Sequence, residues 1–260
     1  MVSLQSATSS RSPHDLAAVV HVHSTDCYGT ATVPEIIEAA ADAEADAVLL
    51  TDHDNLRARE GWHQGVLLLV GVEIGMELWS LITEAIDCPP ARNLGEWDRR
   101  CMRDRVVAIG GVRAGGTALK ALRDARSFRR LRTHVLCERA PTGELETDRQ
   151  LVLAALREGR CYIGRDSLAS TRGFRYYAEG PGGYLSMGDE STAGDWTLHV
   201  RAPLKARMRL IRDGREIHAT TASSLDVLAD GPGVYRVEVE FEALGKVRTW
   251  IVSNPICLRQ

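Results

Sequence analysis

The sequence lacks the features that would assign it to a membrane or nucleic-acid-binding class. Its longest uninterrupted apolar run has seven residues, at positions 66–72, whereas a membrane-spanning helix needs about 20. Lys and Arg total 32 against 35 Asp and Glu, a net charge of −3 with no basic excess that favours nucleic acid. The six cysteines form no Cys-x-x-Cys pair and no dense framework, which indicates a reduced, cytoplasmic protein. We therefore expect neither a membrane nor a nucleic acid among its partners.

The first half of the chain has the pattern of an α/β layer. Residues 1–13 are polar and Ser-rich, so we expect a flexible tail rather than a signal peptide. Within residues 14–172, short apolar runs alternate with helical spacing, which predicts a parallel sheet with helices outside it. The pattern places strands at residues 16–22, 46–51 and 66–72, and a helix at residues 33–45, with Thr32 as its N-cap and Glu35 as the capping-box partner.

The chain changes character after residue 172. Helical periodicity stops, and short alternating segments appear between turn signals such as Asp213-Gly214, which predicts a hairpin. Several short strands within residues 173–260 predict a small all-β sandwich. We therefore expect two domains, an α/β domain at residues 14–172 and a sandwich at 173–260.

Imidazole and carboxylate side chains follow three successive predicted strands. His21 and His23 end the first strand, Asp52 and His53 follow the second, and Glu73 follows the third. The carboxyl ends of parallel strands meet at one face, so these groups should lie close together. Mixed imidazole and carboxylate ligands favour Zn²⁺, Mn²⁺ or Fe²⁺ over Ca²⁺. The sequence therefore predicts a divalent metal site at this face.

These strand-end motifs resemble those of the PHP superfamily, the polymerase-and-histidinol-phosphatase metal-dependent hydrolases. Residues 94–111, 156–160 and 250–256 resemble the branch named for carbaryl hydrolase, which carries a C-terminal β-sandwich. The resemblance implies a distorted (β/α) barrel with up to three metal ions. It assigns His21 and His23 to the first metal, Glu73 to a bridging position and His53 to the third metal, while Asp52 orients its neighbour. The motifs that carry it are His21-Val22-His23-Ser24, Leu49-Leu50-Thr51-Asp52-His53-Asp54 and Gly71-Val72-Glu73.

Departures from the family pattern predict an incomplete barrel. The family has an aspartate where this chain has Tyr28, with Asp26 close by, and an Asp-x-His where it has Arg113 and Gly115. Several barrel elements also appear to be deleted after Glu73. We therefore expect an incomplete (β/α) PHP-type barrel followed by a small sandwich, with one or two ions per chain. His134, Cys137, Glu138 and Asp26 are the conceivable replacement ligands.

The function that these residues favour is hydrolysis of a small-molecule phosphate ester by metal-activated water. His53 or Asp52 would act as general acid or base, and Arg113 would contact the phosphoryl oxygens of the substrate. The alternative is a pseudoenzyme, a metal-binding or anion-binding module that has lost turnover. Loss of the Asp-x-His favours this alternative, whereas retention of the buried polar set opposes it.

An incomplete barrel leaves strand edges and apolar surface that something must cover. Trp79, Leu81 and Ile82 with Pro89 and Pro90 have the composition of an interface core. We therefore expect a homodimer joined through the open side of the barrel. His134 or Glu138 of one chain would then approach the metal held by the other.

Overall fold

The computed structural model of the protein describes residues 13–27, 29–52, 56–71, 79–80, 91–111, 128–243 and 245–260. Of these residues, 48% lie in strands and 16% in helices. The helices are α1 (Val33–Asp42), α2 (Ala91–Cys101) and α3 (Leu145–Arg157). The strands of the first half are β1 (His14–Val22), β2 (Ala47–Leu50), β3 (Gly61–His63), β4 (Val66–Val70), β5 (Trp79–Ser80), β6 (Gly110–Gly111), β7 (Arg132–Cys137) and β8 (Cys161–Gly164). Those of the second half are β9 (Arg175–Gly180), β10 (Gly183–Ser186), β11 (Glu190–Thr192), β12 (Thr197–Arg212), β13 (Arg215–Leu228), β14 (Gly233–Ala243), β15 (Lys246–Ser253) and β16 (Ile256–Arg259).

One mixed sheet of 14 strands runs through both halves of the chain. Its main path is β10-β9-β12-β14-β15-β8-β7-β1-β2-β4-β3, with β11, β13 and β16 paired off this path. β5 and β6 form a separate parallel pair. Parallel pairing in the large sheet joins β1 to β2, β2 to β4 and β11 to β16, and the other pairs are antiparallel.

The prediction of an incomplete (β/α) barrel followed by a separate sandwich is wrong. After the parallel strands β1, β2 and β4, the chain returns to the other edge of β1 through β7 and β8, which are antiparallel to their neighbours. Among the described residues, the path of the sheet begins at β10 and ends at β3, and these two strands do not pair with each other as the first and last strands of a closed barrel do. β15 pairs with β8, with Ile251 opposite Gly164, so the hydrogen-bonded ladder continues from one half into the other.

Helices cover both faces of the sheet around β1, and this explains its uninterrupted apolar sequence. Leu16, Ala18 and Val20 pack in a cluster that includes Val152 and Ala155 of α3. Val19 packs in a second cluster with residues of α1 and with Trp97 of α2. No helix in the described part of the chain is both long and apolar enough to span a membrane.

Two local predictions about turns and caps are confirmed. The Thr32 side chain accepts a hydrogen bond from the backbone N–H of Glu35, and the Glu35 carboxylate accepts one from the N–H of Thr32, so a capping box starts α1. Asp213 and Gly214 join β12 to β13 with φ angles of 51° and 79°. Both residues therefore have the left-handed backbone that a tight hairpin requires.

A buried ion pair attaches α2 to the second half of the sheet. Arg236 of β14 donates from Nε to Asp98 Oδ1 at 2.6 Å and from Nη2 to Asp98 Oδ2 at 2.9 Å. The guanidinium also lies 5.4 Å from the centre of the Trp97 ring and donates to Glu238. Because both side chains of the pair are less than a tenth exposed, loss of Asp98 removes two hydrogen bonds and one counter-charge from the buried guanidinium and leaves Glu238 as its remaining carboxylate.

We expect Asp98→Ala to lower the free energy of unfolding by about 3 kcal/mol, the usual cost of breaking a buried pair. Urea denaturation followed by circular dichroism measures this loss. Glu96→Ala is the matched control on the same helix, because Glu96 pairs with the exposed Arg99 and Arg100. This variant should leave the urea midpoint unchanged. Equal midpoints for Asp98→Ala and the unmodified protein would contradict the proposed role of the pair.

Candidate metal centre

The parallel pairing of β1 and β2 brings the ends of these two strands together. Val20 lies opposite Leu49 and Val22 opposite Leu50, and the N–H of Thr51 donates to the carbonyl of Val22 at 2.8 Å. The residues that follow β1 and β2 in the chain therefore lie next to each other.

The His23 ring and the Asp52 carboxylate face each other at this point. His23 Nδ1 lies 3.9 Å from Asp52 Oδ1, and both side chains are buried. The sequence-based expectation that polar groups meet at these strand ends is met by this pair.

Asp52 is fixed by the segment that follows β1. Its Oδ1 accepts a hydrogen bond from the backbone N–H of Ser24 at 2.7 Å, and its Oδ2 accepts one from Ser24 Oγ at 2.6 Å. A carboxylate has about four lone-pair positions, so each oxygen keeps a further position for another partner. Asp52 therefore holds the loop after β1 and still presents acceptor sites toward His23.

A compact loop after β1 brings Cys27 next to His23 and Asp52. The carbonyl of Ser24 accepts from the N–H groups of Cys27 at 3.1 Å and of Gly29 at 2.9 Å, and Thr25 N–H donates to Ala31 O at 2.9 Å. A Cβ on Gly29 would overlap the carbonyl oxygen of His23, so this close approach requires glycine.

Three side chains of types that can bind a metal ion converge as a result. One ligand atom from each of His23, Cys27 and Asp52 lies within 4.8 Å of the others. The ring of His21 contacts the ring of His23 in a T-shaped arrangement, with centroids 5.0 Å apart. His21 and His23 are both buried, and Cys27 is half-buried.

His21 has an unusual backbone conformation. Its φ of 64° lies in the left-handed region, which costs a residue other than glycine about 1–2 kcal/mol. The β1–β2 register shifts between Val20 and Val22, as in a β-bulge, and Val22 packs with Val19 rather than with Val20. Bulges and strained residues concentrate beside functional sites, where they redirect side chains.

Three of the predicted site residues, His53, Glu73 and Arg113, lie outside the described residues. Their roles stay predictions. Of the conceivable replacement ligands, Asp26 lies in the loop after β1, where its N–H donates to Ser24 Oγ at 3.1 Å.

Cys27 is the candidate metal ligand that the sequence does not reveal. The spacing of the six cysteines indicates only scattered reduced thiols. The available signal was its position four residues after His23, within the turn between a strand-end histidine and the N-cap of α1. The turn conformation that brings it back depends on Gly29 and on backbone hydrogen bonds, which residue spacing does not encode.

His134 belongs to a different buried cluster. Its Nδ1 lies 2.7 Å from Asp15 Oδ1, and its Nε2 lies 3.2 Å from Asp166 Oδ2 and 2.9 Å from Thr171 Oγ1. The ring stacks on Tyr162, with centroids 4.7 Å apart and planes at 9°. The imidazole is thus held between two carboxylates and is fully buried.

The charges of this cluster stabilise one another. Burial alone would lower the pKa of His134, but the hydrogen bonds and charges of Asp15 and Asp166 raise it above its usual value. Burial alone would likewise raise the pKa values of Asp15 and Asp166, but the contacts with His134 hold both below their usual value. These contacts favour the charged form of each member, an imidazolium between two carboxylates.

His134, Cys137 and Glu138 do not replace missing ligands in this chain. His134 pairs with Ala17 and Cys137 with His14, toward the start of β1. His21 lies four residues beyond Ala17, roughly 13 Å along an extended strand. Glu138 is exposed and pairs with Arg160 at 2.7 Å.

We expect Gly29→Ala to disrupt the loop that carries Cys27, since the added methyl group would overlap the backbone of His23. Overpacking of this kind costs about 1–3 kcal/mol of unfolding free energy. Gly95→Ala in α2 is the control with the opposite sign, because nothing lies within 4 Å of its Cβ position and alanine favours helices by about 0.5–1 kcal/mol. The melting temperatures of the two variants, measured by thermal unfolding, check this prediction. An unchanged melting temperature for Gly29→Ala would contradict the close approach.

We expect His134→Ala to destabilise the protein by about 3 kcal/mol near pH 6, because it removes the charge between the buried carboxylates of Asp15 and Asp166. Arg132 then remains as the charged partner of Asp166, and Arg175 as that of Asp15. The contribution of His134 is complete below its unfolded pKa of about 6.5 and is lost as the pH rises through its raised folded pKa. The difference in unfolding free energy between the variant and the unmodified protein should therefore shrink from pH 6 to pH 9. Urea denaturation at several pH values measures it.

His218→Ala, which removes an exposed histidine of β13, is the control for this series and should show no such trend. A stability difference between His134→Ala and the unmodified protein that stays constant across this pH range would contradict the charged state of His134.

No family model matches the chain, and no curated protein matches it. Among solved structures, it is similar to a two-domain protein from Bacteroides vulgatus that contains a predicted PHP-like metal-dependent phosphoesterase. The identity is 14%, the TM-score is 0.41, and the alignment covers 93% of this chain and 95% of the other. A likeness at this level carries no argument about family or activity, so the functional case depends on the site itself.

Proposed function

We propose that this protein is a metal-dependent hydrolase of phosphate esters. The observation that supports the proposal is the buried convergence of His23, Cys27 and Asp52, with His21 beside them, at the ends of two adjacent parallel strands. Three protein ligands with an open fourth position are the arrangement of catalytic rather than structural zinc sites.

The donor set suits a divalent transition metal. Imidazole, thiolate and carboxylate are the ligands that zinc takes in proteins, whereas Ca²⁺ and Mg²⁺ prefer oxygen. When bound, such an ion polarises a phosphoryl oxygen and lowers the pKa of a coordinated water to near 7. His23, Cys27 and Asp52 would hold it, and His21 contacts the ring of His23.

The sheet topology supports Glu73 and His53 as further members of this site. β4 is parallel to β2 with Leu50 opposite Val70, so β1, β2 and β4 end along one edge. Glu73 follows β4 by three residues, and His53 follows Asp52 directly. In the proposal, Glu73 supplies a carboxylate for a second ion, so the fourth position of the first ion stays open, and His53 moves the proton. Arg113 would bind the phosphoryl oxygens of a small-molecule ester through its guanidinium.

A metal-binding module without turnover is the second candidate. The contact between the rings of His21 and His23 favours it, because His21 as a fourth ligand would complete a tetrahedron and leave no open position. The two candidates differ in whether the loaded protein hydrolyses an ester.

Metal analysis of protein purified without added metal, combined with hydrolysis of a chromogenic phosphodiester, tests the proposal. We expect a bound divalent ion and turnover that a chelator abolishes and zinc or manganese restores. His21→Ala and His23→Ala should each lower metal occupancy and rate by at least about tenfold, because even a residue that only supports a ligand contributes 10–100-fold.

His63→Ala is the matched control, since His63 is an exposed histidine of β3 in the same half of the chain. It should leave metal content and rate unchanged. Bound metal without hydrolysis of monoesters, diesters or triesters would favour the binding module. Unchanged metal occupancy in both His21→Ala and His23→Ala would refute the site.

A further inference from the structure

The thiol of Cys27 is the least expected member of the candidate metal centre. It is half-buried, whereas the other cysteines among the described residues, Cys101, Cys137, Cys161 and Cys257, are buried. Burial raises the pKa values of Cys101, Cys137 and Cys161 to about 12, so these thiols are inert at neutral pH. Cys27 instead has its Sγ beside an imidazole and a carboxylate.

We propose that Cys27 binds the metal as a thiolate and makes this centre selective for zinc over manganese. The inference rests on the metal site of the proposed function and names its ion. Thiolates are soft ligands that favour zinc, whereas carboxylate and water ligands suit manganese and magnesium. A site built only from His21, His23 and acidic residues would discriminate less strongly between the two ions.

The geometry is close to that of a zinc site. Zinc–sulfur bonds of about 2.3 Å and zinc–nitrogen or zinc–oxygen bonds of about 2.0 Å separate tetrahedral ligand atoms by roughly 3.3–3.8 Å. His23 Nδ1 and Asp52 Oδ1 are already 3.9 Å apart, and all three ligand atoms lie within 4.8 Å. To bind zinc in this geometry, the ligand atoms would have to move about 1 Å closer to one another.

The loop confines that shift to side chains. The N–H groups of Cys27 and Gly29 are both bonded to the carbonyl of Ser24, and Ser24 is bonded in turn to Asp52. Cys27 and Asp52 are thus parts of one hydrogen-bonded unit. In the proposal, rotation about the Cα–Cβ bond of Cys27 would bring its Sγ closer to the other ligand atoms.

Binding exchanges a proton for the metal. A sulfur–zinc bond forms, the S–H bond breaks, and the proton leaves to solvent without any change of oxidation state.

Cobalt(II) provides the direct test, because a thiolate–cobalt bond gives an intense near-ultraviolet charge-transfer band that imidazole and carboxylate ligands do not give. We expect this band when Co²⁺ is added to the metal-free full-length protein. It should disappear in Cys27→Ser and persist in Cys137→Ala, the matched control, which removes a buried thiol opposite His14. Absence of the band in the unmodified protein, or its persistence in Cys27→Ser, overturns the inference.

A substitution that keeps an anionic ligand tests the selectivity. We expect Cys27→Asp to lower the ratio of zinc to manganese affinity by at least about tenfold, measured by competition with a chromogenic chelator, since a carboxylate accepts manganese readily. An unchanged ratio in a variant with an unmodified circular dichroism spectrum overturns the selectivity.

The unmodified protein supplies a test that is independent of variant folding. Zinc should protect Cys27 from iodoacetamide by at least about tenfold in rate, read by mass spectrometry of the peptide that contains it. Alkylation of Cys27 at an equal rate with and without zinc overturns the inference. A charge-transfer band without ester hydrolysis would contradict the proposed function and support Cys27 as a thiolate ligand. Metal-dependent hydrolysis without the band would support the proposed function and contradict the thiolate ligand.

Discussion

The burial of β1 on both faces is the constraint on which the rest of the structure depends. Helices cover the sheet on either side of this strand, and residues Ala17, Ala18 and Val19 have no exposed surface. A polar side chain in that stretch would lose its hydration without a partner, so polar groups are confined to the two ends of the strand. Asp15 stands at one end, and His21 and His23 at the other. The burial of β1 between helices therefore determines where both polar clusters lie.

The two ends satisfy their polar groups in different ways. At the start of β1, Asp15 and Asp166 surround His134, and each charge has a partner of opposite sign within hydrogen-bonding distance. Such a cluster is complete in the protein itself and connects β1, β7 and the segment after β8. At the other end, Asp52 accepts two hydrogen bonds from Ser24 and faces His23 at 3.9 Å, too far for a hydrogen bond between them. Its remaining lone pairs, the imidazole and the Cys27 thiol are the components of a ligand set.

Sequence reasoning predicted the features that depend on neighbouring residues and missed those that depend on distant pairing. The periodicity from residue 33, the capping box at Thr32 and the Asp213-Gly214 hairpin are local, and each is confirmed. The convergence of His23 and Asp52 also follows from two adjacent parallel strands. The barrel was wrong because the apolar pattern of β7 and β8 does not encode their direction relative to β1. Cys27 was missed because a loop closure determines its place.

Charge balance explains why a thiol at this position changes the chemistry of the centre. A buried divalent cation carries two positive charges, and an uncompensated charge in a poorly hydrated site is costly. Asp52 supplies one negative charge, partly offset by the two hydrogen bonds it accepts, and the histidines supply none when they act as ligands. In the proposed centre, a Cys27 thiolate would supply the second, so that zinc with His23, Cys27 and Asp52 would form a neutral unit. Without the thiolate, the same residues would hold a unit with an excess positive charge, and another carboxylate would be required to balance it.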